Sequence, residues 1–206
     1  QLREPFERLV DTGVRLNQLH KTAEWNEFLV EEATELSGAE RVLLLLAEGD
    51  ALSVAGALLP PGEDAGALRQ AIAPWLDEAR HTRLPSLRHG PEGAEPVAQR
   101  SCLVAPLIAQ RRVLGFLYAD IEGAFGRFHD ADRNLLAMLA SQAAVALANL
   151  RTSEGLEATV AERNAQLQQR AAQLELINGI QQAMAANLNF QAIVDLVGDK
   201  LRAVLQ

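Results

Sequence analysis

Two apolar hairpins constrain this chain more than any other feature. Residues 100–120, RSCLVAPLIAQRRVLGFLYAD, hold two almost wholly apolar runs, roughly 101–109 and 113–121, joined at AQRR. A second pair, RVLLLLAEGDALSVAGALL, begins at Arg41 and turns at Glu48-Gly49-Asp50, a tight hairpin signal. The unbroken apolar character of 42–47 suits a strand covered on both faces. Pro106 has no amide hydrogen for a ladder, so it is expected at a bulge or facing an open edge. Gly115 leaves room where another element comes close.

Around the hairpins the apolar period lengthens. Phe6, Leu9, Val10, Gly13 and Leu16 recur on one helical face. Thr22, as an N-cap, opens a second helix that buries Trp25, Phe28, Leu29, Ala33 and Leu36 and stops at Ser37-Gly38. PPGEDAG interrupts the chain at 60–66. A helix over 67–80 follows, with Leu68, Ile72, Trp75 and Leu76 inside, and Pro74 imposes a kink or a second start. TRLPSLRHGPEGAEPVAQ is irregular, with one short strand near 83–88, and is the most loop-like region.

From Asp130 the chain stays helix-compatible beyond the length of an ordinary globular helix. Asp130 and Asp132 complement the positive end of its dipole. Between Asp130 and Asn187 there is no proline, and the only glycines are Gly155 and Gly179. Val160, Leu167 and Leu174 are spaced by seven, with Asn164 and Ala171 at the alternate core positions, a short weak heptad stretch. The end of the chain also repeats its beginning. At a constant offset Trp25 matches Phe190, Phe28 matches Ile193, Leu29 matches Val194, Ala33 matches Gly198 and Leu36 matches Leu201. Either any two amphipathic helices slide into such register, or 176–206 opens a second copy of the same domain.

The 206 residues are 49% hydrophobic and 22% charged, ordinary for one soluble domain with extensions. The net charge of −8 argues against nucleic acid as a partner. One stretch runs against it: between Arg80 and Arg112 lie six arginines and two carboxylates, Glu92 and Glu95. A single cysteine and four scattered histidines exclude an internal disulfide and disfavour a structural zinc site. No apolar run approaches the ~18 residues of a membrane helix. The start, QLREPFERLV, lacks the basic-then-apolar pattern of a signal peptide. A cytoplasmic location is expected. No phosphate loop, nucleophile elbow or metal-binding spacing stands out, so no enzyme activity is expected of this segment.

The segments SCLVAPLIAQRRVLGFLYAD and FGRFHDADRNLLAMLASQAAVALANL resemble the GAF domain family. The likeness rests on Ala105, Pro106 and Leu107, then Gly115 and Leu117, then Phe128 and Asp132 ahead of a Leu- and Ala-rich helix. LEATVAERNAQLQQRAAQLELIN resembles the signalling helices between sensor modules of bacterial kinases and cyclases, including two-component systems. The resemblance implies an α+β fold: an antiparallel sheet of five or six strands, helices packed on one side, a small-molecule pocket on the other, and a long C-terminal helix. It divides the chain into an N-terminal helix (1–21), a sensory domain (22–150), a signalling helix (151–175) and the truncated start of a second such domain (176–206). The implied role is regulatory input, relayed through a homodimer joined by its terminal helices. The alternative is a dimerisation scaffold that binds nothing.

Candidate ligand-binding residues are Trp75, Arg83, Leu87, Arg88, Arg100 and Tyr118. The arginines suit an anionic small molecule, held bidentately by carboxylate or phosphate, or else pair with the acidic excess. Trp75 and Tyr118 are pocket-side aromatics or core. Cys102, beside Leu103 and Val104, reads as a small core residue, since an apolar strand raises a thiol pKa. Some relatives reduce methionine sulfoxide with several cysteines, and others attach a bilin through cysteine; one cysteine followed by leucine fits neither. The cyclic-nucleotide branch carries Asn-Lys ahead of Phe-x-x-x-Asp-Glu. Here Phe128 and Asp132 remain, Arg133 replaces the Glu, and Asn-Lys is missing. His81, His89 and His129 have no ligand spacing for metal or haem. No cofactor is assigned.

Overall fold

The structure, a computed structural model, describes residues 3–49 and 51–204. Asp50 of the expected turn and residues 205 and 206 of the final segment lie outside them. Helices α1 (Arg3–Gln18) and α2 (Thr22–Ser37) precede strands β1 (Arg41–Glu48) and β2 (Ala51–Leu58). Helices α3 (Ala65–Ala71) and α4 (Ala73–Thr82) lead to β3 (Ser86–Gly90), then a 3-10 turn at Pro96–Ala98. Strands β4 (Arg100–Ala109) and β5 (Arg112–Glu122) follow, and α5 (Asp130–Val204) comes last. The chain divides into two compact units, Gln1–Ser153 and Glu154–Gln206.

Both apolar hairpins are present and share one layer. β1 pairs with β2 on one side and with β5 on the other, giving a five-stranded antiparallel sheet of order β2-β1-β5-β4-β3. Strand parity sorts the side chains onto two faces. Val42, Leu44, Leu103, Ala105, Leu117 and Ala119 pack with Trp25 and Leu29 of α2 and with Leu139 and Ala143 of α5. Leu43, Leu45, Cys102, Val104, Phe116 and Tyr118 pack with Leu68, Ile72 and Leu76 of α3 and α4. Helices α1, α2 and the opening of α5 thus cover one face as expected, and the two short helices stand over the other. Burial on both faces explains the continuous apolar strands, each fully buried leucine contributing roughly 1.5–3 kcal/mol.

Most local signals hold, with small displacements. Helix α2 includes Thr22, and its cap is Lys21, whose backbone is extended (φ −115°, ψ 129°). Gly38 ends it in the left-handed region at φ 66°, its N–H donating to the Thr34 carbonyl at 2.8 Å. Trp25, Leu29 and Ala33 are buried; Phe28 and Leu36 lie at the margin. The 67–80 helix is two helices broken at Ile72 (φ −94°, ψ 0°), with Pro74 in the first turn of α4, where a missing N–H costs nothing. β3 pairs with Arg100–Val104 and ends short of Pro106, which leaves the proline's outer flank free of a ladder partner. A Cβ on Gly115 would collide with the Leu45 carbonyl oxygen, the close approach its glycine implied.

Glu32 of α2 is buried beneath α1. Burial alone raises its carboxyl, but hydrogen bonds from Arg8 (3.1 Å) and Thr12 (2.8 Å) outweigh it and hold the group below the usual range. Helix α5 begins with Asp132 accepting the His129 N–H at 2.7 Å. It continues past Asn187 to Val204. By length and composition it could cross a membrane: one 18-residue window has mean hydropathy 1.3, and 44% of that window is buried inside the protein. In the second unit Val160, Leu167 and Leu174 are exposed.

Candidate functional site

Between the sheet and helices α3 and α4 lies a cavity of about 630 Å³. Its floor comes from the sheet face that carries Arg41, Tyr118, Cys102, Arg100 and Arg88. Its roof is Leu68, Ala71, Ile72 and Trp75. The segment from Leu87 to Glu92 completes it. The site exists because the helix break at Ile72 lays two short helices over strands whose outer-face residues are large in the middle and polar at one end.

That polar end is a compact ion cluster. Asp120 on β5 is fully buried, and Arg41 is its cross-strand neighbour on β1. Arg41 donates to Asp120 through Nε (2.9 Å) and Nη2 (2.6 Å), and through Nη1 to Glu63 (3.0 Å). Arg100 donates through Nη1 to Asp120 (2.8 Å) and Glu40 (2.9 Å), and lies 3.7 Å from Glu122. The Tyr118 hydroxyl donates to Asp120 at 2.5 Å. Hydrogen bonding to Asp120 holds the Arg41 guanidinium above its ordinary value. Burial, reinforced by Cys102 and Asp120, pushes the Tyr118 phenol far up, so it stays a neutral donor. Arg88 behaves differently: its Nη2 pairs with Glu78 of α4, its Nε is buried without a hydrogen-bond partner among the described residues, and Trp75 flanks its guanidinium at 5.9 Å.

Of the six candidate residues, the fold brings Trp75, Arg88, Arg100 and Tyr118 to this cavity on its sheet face and roof; Leu87 borders it, but it stands opposite Leu103 and packs against the core on the other face of the sheet. Arg83 is not in its lining. It caps the C-terminus of α4 in a left-handed conformation (φ 58°) and is exposed. Cys102 lines the cavity yet is 6% exposed, and burial pushes its thiol up, which suits packing rather than nucleophilic chemistry. His89 turns to the other face of the sheet, 2.8 Å from Ser101 Oγ; burial, then the charges of Arg127 and His129, lower its pKa. His81 Nδ1 meets the Asp77 carbonyl on the exposed side of α4. Among the described residues no group of three His, Cys, Asp or Glu is placed to hold a metal.

Sequence reasoning missed Arg41 and Asp120. Both stand at the ends of apolar strands, where a charge reads as the point of exit into water. The available signal was parity: Arg41 shares its face with Leu43 and Leu45, and Asp120 shares its face with Phe116 and Tyr118.

Comparison with known proteins agrees with this architecture. The chain matches no curated protein. Among solved structures it is similar to a methyl-accepting chemotaxis protein segment (TM-score 0.55, 18% identity, 68% of this chain and 97% of that one). It is also similar to the GAF domain assigned to a sensor histidine kinase of Pseudomonas syringae pv. tomato (TM-score 0.54, 21% identity, 76% and 94%). A third is free methionine-R-sulfoxide reductase from Neisseria meningitidis, in complex with its substrate (TM-score 0.53, 18% identity, 70% and 89%). At these identities the likeness speaks for the fold alone. The family profile for the GAF domain matches residues 27–147, more than half of the sequence and the whole of the sheet. On that match, and on a sheet whose strands carry the same residues that suggested it, the chain belongs to the GAF domain family.

Proposed function

We propose that this chain is a regulatory sensory module. It binds a small molecule between the sheet and helices α3 and α4, and passes the change to a partner module through α5. The observation that carries this reading is the cavity of about 630 Å³, with five of the six candidate residues in its lining. That size is in the range of small-molecule sites. Domain division follows the sequence: a sensory domain over 22–150, a signalling helix over 151–175 and the opening of a second such domain over 176–206. The repeat supports the last assignment. The positions of α2 that match Phe190, Val194 and Gly198 are Trp25, Leu29 and Ala33, all fully buried under the first sheet. In the final segment Phe190 and Val194 are exposed apolar positions of the kind a second sheet would cover.

The test is a thermal-shift screen with cyclic nucleotides, small carboxylates and amino acids. A ligand at a hundredfold its Kd stabilises by about 2.7 kcal/mol, or roughly 5–10 °C in a domain of this size. The hit must lose its effect in Ala71→Trp, which places an indole on the cavity rim from an exposed helical position. No shift from any compound, or an equal shift in Ala71→Trp, defeats the sensing reading. It would favour the ligand-free scaffold, which the mutual neutralisation of Arg41, Arg100 and Asp120 also supports.

The relay further requires two copies. Val160, Leu167 and Leu174 are 56%, 62% and 60% exposed, and a second α5 in parallel would cover them, with Asn164 at an a position. Replacing all three with Glu is expected to halve the mass seen by light scattering. Equal mass for wild type and variant defeats the coiled-coil assignment and leaves the sheet domain untouched.

A further inference from the structure

We propose that Arg88 is the anion-receiving group of the cavity and that Glu78 is its built-in competitor. On this reading, which rests on the sensing function proposed above, a carboxylate or phosphate head group replaces Glu78 on Arg88. The ion pair between α4 and β3 is released as it binds. Three arginines border the cavity, and two of them are tied to the buried Asp120. Arg41 spends Nε and Nη2 on Asp120 and Nη1 on Glu63. Arg100 donates through Nη1 to Asp120 and to Glu40. An anion that drew either away from Asp120 would leave that fully buried carboxylate short of a partner, and an unpaired buried charge is costly.

Arg88 is held loosely. Glu78 engages Nη2 alone, while Nε on the same edge of the guanidinium is buried and unpartnered. That edge presents two parallel N–H groups, the fork that two oxygens of one carboxylate or phosphate fill together. A buried donor without a partner is unfavourable, so a ligand that reaches Nε gains what Glu78 does not. The existing pair is displaceable, because Arg88 and Glu78 are 35% and 50% exposed and such pairs contribute little. Trp75 flanks the guanidinium plane, and Leu68 and Ile72 offer an apolar wall to the body of the ligand. The ligand class is therefore a compact oxyanion with an apolar or aromatic body.

Benzoate and phenyl phosphate share one body and differ in head group, so titrating both by calorimetry at low salt separates the two anions. Glu78→Gln is expected to bind the preferred probe about two- to fivefold tighter than wild type, the range an exposed ion pair allows. Arg88→Gln is expected to bind it at least about tenfold more weakly. Arg88→Lys should fall with it, since a lysine keeps the charge and loses the fork. The proposal is overturned if Glu78→Gln binds no better than wild type, if Arg88→Lys retains full affinity, or if neither probe binds Glu78→Gln. Because Glu78→Gln gains rather than loses, a misfolded Arg88 variant cannot mimic success. A screening hit that stabilises wild type and both Arg88 variants equally would leave the sensing function standing and remove this assignment. No hit on the wild-type screen and no probe binding to wild type or to Glu78→Gln would remove both.

Discussion

Asp120→Asn is expected to lower stability by about 3 kcal/mol, the lower end for breaking a buried charge pair. The substitution keeps shape and removes charge. Asp120 is fully buried, and it is the shared acceptor of Arg41, Arg100 and Tyr118. An asparagine offers one acceptor oxygen and places an NH₂ against donors. Arg41 and Arg100 stay 17% and 27% exposed and keep Glu63 and Glu40, which is why the loss falls at the lower end. Three kcal/mol is a large share of the ~5–15 kcal/mol that holds a domain together, and corresponds to roughly 6–12 °C in melting temperature. Tyr118→Phe is the companion: it removes one hydrogen bond and leaves both arginines on the carboxylate, so it should cost about 0.5–1.5 kcal/mol. Chemical denaturation of both variants decides the matter. Asp120→Asn within 0.5 kcal/mol of wild type would mean that the cluster is ornamental to folding.

The same cluster shows where sequence reasoning reaches and where it stops. The hairpins were legible because strands covered on both faces must be apolar throughout, and nothing else in the chain has that pattern. Pro106 and Gly115 carried positional meaning for the same reason: a missing N–H and a missing Cβ each restrict what can lie beside them. Trp75, Arg88, Arg100 and Tyr118 met at one cavity because α4 lies over the sheet face that carries the other three. Arg83 did not, since its place was set by a left-handed helix cap, which an arginine does not advertise. Arg41 and Asp120 were hidden by distance along the chain. Their partnership needs β1 and β5 to be neighbours at one register, and only the assembled sheet fixes that. Helix α5 runs on beyond Asn187 to Val204, because the amphipathic spacing that made 176–206 resemble α2 also suits a continuous helix.

Gly115→Ala tests the central seam of that sheet. Gly115 lies opposite Leu46 on β1 and Leu107 on β4, beside the register shift between Leu107 and Ile108. A Cβ there collides with the Leu45 carbonyl oxygen and sits 3.0 Å from Leu46 Cδ2. The leucine can turn away, but the carbonyl belongs to the backbone of a strand fixed by β2 on its other side. Relief therefore requires β1 and β5 to part, with loss of ladder bonds between the two central strands. A cost of about 3 kcal/mol or more is expected, at or above the usual range for overpacking. Gly155→Ala supplies the contrast, since nothing lies within 4 Å of its added Cβ and a helix interior favours alanine by roughly 1 kcal/mol. Leu46→Ala added to Gly115→Ala distinguishes the two obstacles. It clears the side chain and leaves the carbonyl, so it should not restore stability. Rescue by Leu46→Ala, or a Gly115→Ala protein that melts within about 2 °C of wild type, would show that the strands have slack and that β1 and β5 do not form a rigid seam.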